Sequence, residues 1–309
     1  GSNPSLKNLT ITNNTGFVGG IHCDNNSNPS LENIAIINNS ATGNVGRGGG
    51  LRCATNSDPS LVNVLISGNT SSQEGGGVFI YNSNPSFENV TITGNLSSIN
   101  EGDGIFIKNN SSPNLLNTIL WDNGNELEFS DVDVSSTITI SYSNIEDGQD
   151  SIVTNENGTV TWGAGNIDVD PMFVDTANGN YHLLASSKLI NAGHPGSTDS
   201  DGTRSDIGAY PYLNSYSGPT WYVNTEGNDT TGTGASDSPF AAIQSAVNFA
   251  TTDGDSVTVA SGTYVENINF RGRNIVVAGA DIETTIVDGN QTGVVFDILG
   301  STAATLKDM

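Results

Sequence analysis

His22, Arg52, Phe79 and Phe106 occupy one position of a repeated short strand, and Asp24, Ala54, Tyr81 and Lys108 occupy the position two residues later. Three aromatics and three possible cations thereby gather on one flank of a chain that has only 9 Lys and Arg. Aromatic faces stack on sugar rings and cations pair with uronate carboxylates, so His22, Arg52, Phe79, Tyr81, Phe106 and Lys108 describe a surface for an acidic polysaccharide. A lyase working there would need a base beside the uronate carboxyl group and a cation to neutralise it, tasks within the chemistry of Lys108, Arg52 and Arg47. A hydrolase would need paired carboxylates, and Glu101 with Asp103 is the adjacent outward pair. The competing reading is a flank covered by a loop, by another part of the β-structure or by a neighbouring molecule. No specific catalytic motif accompanies these residues, and the chain reads more readily as a non-enzyme.

Two further constellations carry chemistry. Asp199, Asp201, Thr203 and Asp206 place oxygens at alternate positions around Gly202, as a calcium loop does, but the twelfth position lacks a bidentate Glu. A turn salt-bridged by Arg204 is the other reading. Cys23 and Cys53 fall at equivalent inward positions of successive repeats. Their α-carbons would lie about 5 Å apart, so they are either a disulfide or two buried free thiols. His182 and His194 have no Cys or His partners at zinc spacing.

The elements that must position these residues are repeats. SNPSLKNLTITNN from Ser2 returns as SNPSLENIAIINN from Ser27, SDPSLVNVLISGN from Ser57, SNPSFENVTITGN from Ser83 and SSPNLLNTILWDN from Ser111. Such a period marks a solenoid. Leu6, Leu31, Leu61, Phe87 and Leu115 form one apolar column, and Ile11, Ile36, Ile66, Ile92 and Leu120 another. Asn8, Asn33, Asn63, Asn89 and Asn117 align, as do Asn14, Asn39, Asn69, Asn95 and Asn123. Asn tolerates the left-handed conformation of a tight corner, and stacked amides can bond from rung to rung. Each copy is followed by a Gly-rich corner and a second strand: GGIHCDN, GGGLRCATN, GGGVFIYN and GDGIFIKN. Two or three parallel strands per turn without helices predict an all-β, right-handed parallel β-helix.

The repeats resemble the right-handed, pectin-lyase-like β-helix superfamily, including secreted bacterial surface repeat proteins. NIDVDPMFVD, GNYHLLASSKLINAG and DSDGTRSDIGAY, within residues 166–212, look like the C-terminal end region of such proteins. WYVNTEGNDTTGTG, SPFAAIQSAVNFA, GDSVTVASGTYVENINF and ADIETTIVDG, within residues 221–289, look like their N-terminal start. The resemblance implies a fold and an extracellular or cell-surface setting, and it does not name a reaction.

The order is permuted, because the start segment follows the end segment. The expected organisation is β-helix coils over 1–135, an end region over 136–212, a linker over 213–219, and a cap with first coils over 220–309, belonging to a permuted chain or a following repeat. Ser238 and Pro239 supply a helix N-cap and first turn, so a short capping helix is expected near 239–250. TLKDM at the chain's end aligns with SLKNL of the repeat, so both extremities fall within strands. Unfinished strand edges invite pairing, and a head-to-tail contact that does not close yields a filament; the alternative is a truncated window of a longer tandem array. The expected partner is therefore the chain itself, with acidic polysaccharide as the alternative. With 33 acids against 9 bases and a net charge of −24, nucleic acid is an improbable partner. No run approaches the length of a membrane span.

Overall fold

The computed structural model describes residues 1–132 and 134–309. They form a right-handed parallel β-helix fold with one short α-helix. The coils fall into two compact units, residues 1–170 with 192–197 and 204–210, and residues 171–191 with 198–203 and 211–309. Among the described residues no helix is long and apolar enough to cross a membrane.

In the first unit the long sheet stacks seven rungs in sequence order. Rung 1 is Ser5–Thr12, rung 2 Ser30–Ile37, rung 3 Ser60–Ser67 and rung 4 Ser86–Thr93. Rung 5 is split into Asn114–Leu116 and Ile119–Trp121. Rungs 6 and 7 are Ser136–Ser141 and Gly158–Trp162, so the stack continues past residue 135 into the segment expected as an end region. The register aligns the sequence repeats residue for residue, Leu6 on Leu31 on Leu61 on Phe87 on Leu115. The second strands form their own parallel sheet, with Ile21–Cys23, Leu51–Ala54, Val78–Tyr81 and Ile105–Lys108 in succession. Two-residue strands make a third, narrow sheet. Apolar side chains from the two wide sheets meet in one continuous core that includes Leu31, Ile36, Leu51, Ile66, Ile80, Phe87 and Phe129.

Asn columns hold two corners. The outer column, Asn8, Asn33, Asn63, Asn89 and Asn117, is left-handed throughout, with φ between 50° and 55°. The inner column differs from expectation: the left-handed residue is the one before it, namely Asn13, Asn38, Gly68, Gly94 and Asp122. The reason is a division of labour. The preceding residue makes the turn, and the inner Asn is thereby free to point its amide along the stack. Asn39 Nδ2 donates to Asn69 Oδ1 (3.0 Å), Asn69 to Asn95 (2.9 Å) and Asn95 to Asn123 (2.9 Å), all buried. A backbone N–H from each earlier residue reaches the same oxygens. A serine column closes the next corner, with the N–H of Ser27, Ser57, Ser83 and Ser111 donating to the hydroxyl one rung on. Glycine corners let backbones approach: a Cβ at Gly76 would lie 2.5 Å from the Leu96 carbonyl carbon.

The second unit stacks Thr220–Val223, Ser256–Val259, Val276–Gly279 and Thr305–Lys307 in parallel. Its helix runs Ile243–Phe249 and starts later than the expected 239. Phe240 is instead extended, its N–H donating to Tyr222 O (3.0 Å) and its carbonyl accepting from Asn224 (2.9 Å). The helix N-terminus is satisfied at a distance: Glu266 accepts from the N–H groups of Ile243 (2.8 Å) and Gln244 (2.9 Å), and Asp229 from Ala241 (2.9 Å). All seven helical residues are buried, packed on Thr220–Val223 and Ser256–Val259. Buried Asn248 is kept by donating to the carbonyls of Ala185 (2.9 Å) and Ser187 (2.8 Å).

Replacing Asn69 with Ala strips a buried position of both donors and an acceptor, and should cost about 3 kcal/mol in urea unfolding. Asn33→Gly, which removes an exposed outer amide but keeps the left-handed turn, should cost under about 1 kcal/mol in the same measurement.

Candidate functional site

The second-strand flank assembles as the repeat pattern requires. Register pairs His22 with Arg52, Arg52 with Phe79, Phe79 with Phe106, and Phe106 with Glu128; Tyr81 lies between Ala54 and Lys108. The Phe79 and Phe106 rings stack at 6.1 Å, 6° from parallel. Arg52 is held between the Phe17 and Phe79 rings, 5.1 and 5.0 Å from their centroids. Arg47 lies 5.7 Å over Phe79, and Lys108 Nζ 5.8 Å over Phe106.

This geometry decides what the flank can bind. Phe79 is 2 % exposed and Phe106 3 %, so neither offers a face to a sugar ring. The cover comes from within the same unit. Arg47 pairs with the buried carboxylate of Glu74, whose other oxygen lies 3.6 Å from Lys108 Nζ. Burial pushes the Glu74 carboxyl up, but the hydrogen bond and charge of Arg47, with Lys108 behind it, outweigh burial and hold it below its ordinary value. Arg52 Nε and Nη1 are buried without a hydrogen-bond partner, satisfied only by the ring faces. Burial and then Arg52 lower the His22 pKa, opposed by Asp24. His22 and Phe17 remain exposed, edge to face at 6.3 Å. A base and a carboxylate clamp for a lyase are thus not presented together, since Arg47 and Lys108 both face Glu74.

Glu101 and Asp103 do not form a hydrolase pair. Asp103 is 3 % exposed and turns both oxygens to backbone, accepting from Ser97 N (2.6 Å) and Asn125 N (3.2 Å). Burial raises its pKa against those bonds, and Glu101 is raised by burial and then by Glu74 and Glu128.

Cys23 and Cys53 are neighbours in register, both buried and with free thiols. Of the two readings, disulfide or free thiols, the structure has the free pair: both side chains point inward from stacked strands, an arrangement ill suited to the torsion of a bridge. Asp199, Asp201 and Thr203 form a closed turn, in which Asp201 Oδ1 accepts from Thr203 N (3.0 Å) and Oγ1 (2.7 Å), and Oδ2 from Asn214 N (2.9 Å). Asp206 is buried and belongs to the other compact unit. Among the described residues no group of three or more His, Cys, Asp or Glu gathers to hold a metal ion.

Two acidic residues escaped the sequence reading. Arg47, Glu74 and Glu101 each directly precede a glycine corner, Gly48, Gly75 and Gly102, so their alignment was a usable signal for the ion-paired cover. Glu126 takes the slot that Gly104 fills one rung earlier, since Ile105 pairs with Leu127. It ends the inner Asn column, accepting from Asn123 N (2.8 Å) and Asn123 Nδ2 (2.6 Å). Burial raises its pKa to about 8; the Asn123 bonds oppose that, and the charge and hydrogen bond of Glu146 add to it.

Rung 1 is the remaining feature. Its strands form the edge of all three sheets of the first unit, and Leu6, Ile11 and Ile21 are only partly buried against the core. In the second unit Thr305–Lys307 is likewise an edge, with Leu306 40 % and Ile286 49 % exposed.

Comparison with protein families matches residues 62–167 to the family described as right handed beta helix region. Searches of curated proteins and of solved structures each found no match. The match covers the middle coils of the first unit and accords with the parallel β-helix that the structure shows there.

Because the folded Glu126 pKa lies above its ordinary value of 4.5, the stabilisation it reports is complete below that value and is lost as pH rises towards about 8. Urea unfolding should show stability falling by a few kcal/mol, on the order of the shift, between pH 5 and 9. Glu126→Gln should flatten that profile.

Proposed function

We propose that this chain is a non-enzymatic, extracellular structural element, a stiff solenoid that associates head to tail with copies of itself. The observation that supports the reading is the in-register stack itself: each rung completes its apolar columns and its corner amides only through the next rung, so the same surfaces can continue from one copy to another. Exposed parallel edges recruit further strands unless charge, bulges or proline blunt them. A contact between unlike edges propagates, because each added copy presents the edge that the last one used. The extracellular setting follows from the resemblance to secreted surface repeat proteins and from the acidic, Asn- and Ser-rich composition. The competing reading, an acidic-polysaccharide lyase or hydrolase on the His22 to Lys108 flank, has little support, because the rings are buried and the cations engaged.

Light scattering after size exclusion and negative-stain microscopy test this. The chain should form dimers and longer rods as concentration rises, and Ile11→Lys should return it to monomers while its circular dichroism stays that of the folded β-helix. Compact monomers at the highest concentrations reached would refute the reading.

A further inference from the structure

The second unit contains a cavity of about 360 Å³ whose walls all come from within that unit. A volume of this size belongs to the range of small-molecule sites. One wall is the antiparallel pair Phe173–Asp175 and Asn180–Leu183. The segment Pro211–Leu213 makes a second wall, and the turn Thr230–Thr233 a third.

These walls are fixed by the protein's own bonds. Asn228 Oδ1 accepts from the N–H groups of Thr230 (2.7 Å) and Thr231 (2.9 Å). Tyr212 Oη donates to Gly232 O (2.6 Å), and buried Asn214 donates its Nδ2 to Thr233 O (3.0 Å), which ties the second wall to the third. Across the cavity the Phe173 and Tyr181 rings meet edge to face at 5.4 Å. Asn180 Oδ1 accepts from His182 N (3.2 Å); a backbone N–H only donates, so the oxygen of this amide is committed and its nitrogen is not. Among the described residues, the hydroxyls of Thr230 and Thr231 and the Nδ2 of Asn180 have no protein partner. A rigid frame with unspent hydrogen-bonding groups is a preorganised one, and it loses little freedom when a ligand enters.

The lining selects the ligand by charge. None of the described lining residues is Asp, Glu, Lys or Arg, although the chain carries 33 acids. An anion would find no cation to pair with in a chain of net charge −24, and a metal ion would find no carboxylate. What the cavity does offer is aliphatic surface from Val174, Leu183 and Leu213 beside the hydroxyls and amide already named. A pyranose ring has the matching division, with C–H groups on its faces and a rim of hydroxyls that both donate and accept. Thr hydroxyls also do both, and the Asn180 amide supplies a donor. We propose that this cavity binds an uncharged sugar unit, its C–H face on Val174, Leu183 and Leu213 and its hydroxyls bonded to Thr230, Thr231 and Asn180. The proposal does not depend on head-to-tail association. It gives the chain a glycan contact of a different charge class from the acidic polysaccharide considered for the His22 to Lys108 flank.

Titration of the whole chain with glucose, galactose, mannose and N-acetylglucosamine, followed by calorimetry and by saturation transfer from protein to sugar protons, tests this. At least one of them should bind with a Kd of about 1 mM or tighter. The corresponding uronate, glucuronate or galacturonate, should bind about tenfold more weakly or worse, and added salt should leave the neutral sugar's affinity unchanged. Thr230→Val with Thr231→Val keeps the shape of the wall but removes two hydroxyls, and should weaken binding about fivefold or more. Leu213→Ala should weaken it about as much by removing apolar contact. Thr230, Thr231 and Leu213 are all exposed, so circular dichroism should show both variants folded. The proposal is overturned if no neutral sugar binds, if the uronate binds as tightly as its neutral counterpart, or if both folded variants bind like the parent.

Discussion

Parallel stacking in register is the constraint from which the rest of this structure follows. A rung cannot bury its own apolar face or answer its own corner amides; both tasks belong to the rungs above and below. The Leu31, Leu61 and Phe87 column is sealed from water because each side chain is floored by a like one. Buried Asn39, Asn69 and Asn95 are tolerable because each amide has a neighbour one rung away. The glycine corners, the left-handed residues and the serine column are geometric conditions for keeping that spacing. Where the inner column stops, at Asn123, a carboxylate takes over as acceptor, and Glu126 occupies space that earlier rungs leave to glycine.

Much of this was legible in the chain itself. The columns of Leu, Ile and Asn could be written down from the repeats, and their pairing in the structure is residue for residue. Inward and outward positions on the second strand were equally readable from alternation. What alternation does not carry is cover. Phe79 and Phe106 point away from the core as read, yet they are buried by Arg47 and Glu74, which arrive from corners rather than from the strand. The helix boundary slipped for a similar reason: Ser238 and Pro239 form a sound local start signal, but Phe240 gains more by pairing with the Tyr222 strand, and the helix takes its capping acceptors from distant Asp229 and Glu266. The direction of each Asn column was illegible, since an amide's orientation depends on which backbone N–H it meets.

The aromatic flank illustrates how a feature suited to ligands can serve the fold. Arg52 sits between two rings with two guanidinium nitrogens unbonded, a position in which ring faces replace water. Glu74 gathers Arg47 and Lys108 above the same rings. A small number of cations in a chain of net charge −24 are thereby concentrated at one place and neutralised there. The acidic excess is left distributed over other surfaces, where mutual repulsion favours solubility over lateral clumping.

The opposed running of the two asparagine columns has an electrical outcome. In an α-helix every peptide points the same way, and the partial charges accumulate at its ends. Here Asn39 Nδ2 donates forward to Asn69 at one corner while Asn89 and Asn63 donate back to Asn63 and Asn33 at the other, so the axial moments of the two columns oppose each other rung by rung. Lengthening such a column adds stiffness without building a field along it, and neither extremity becomes more charged as coils are added.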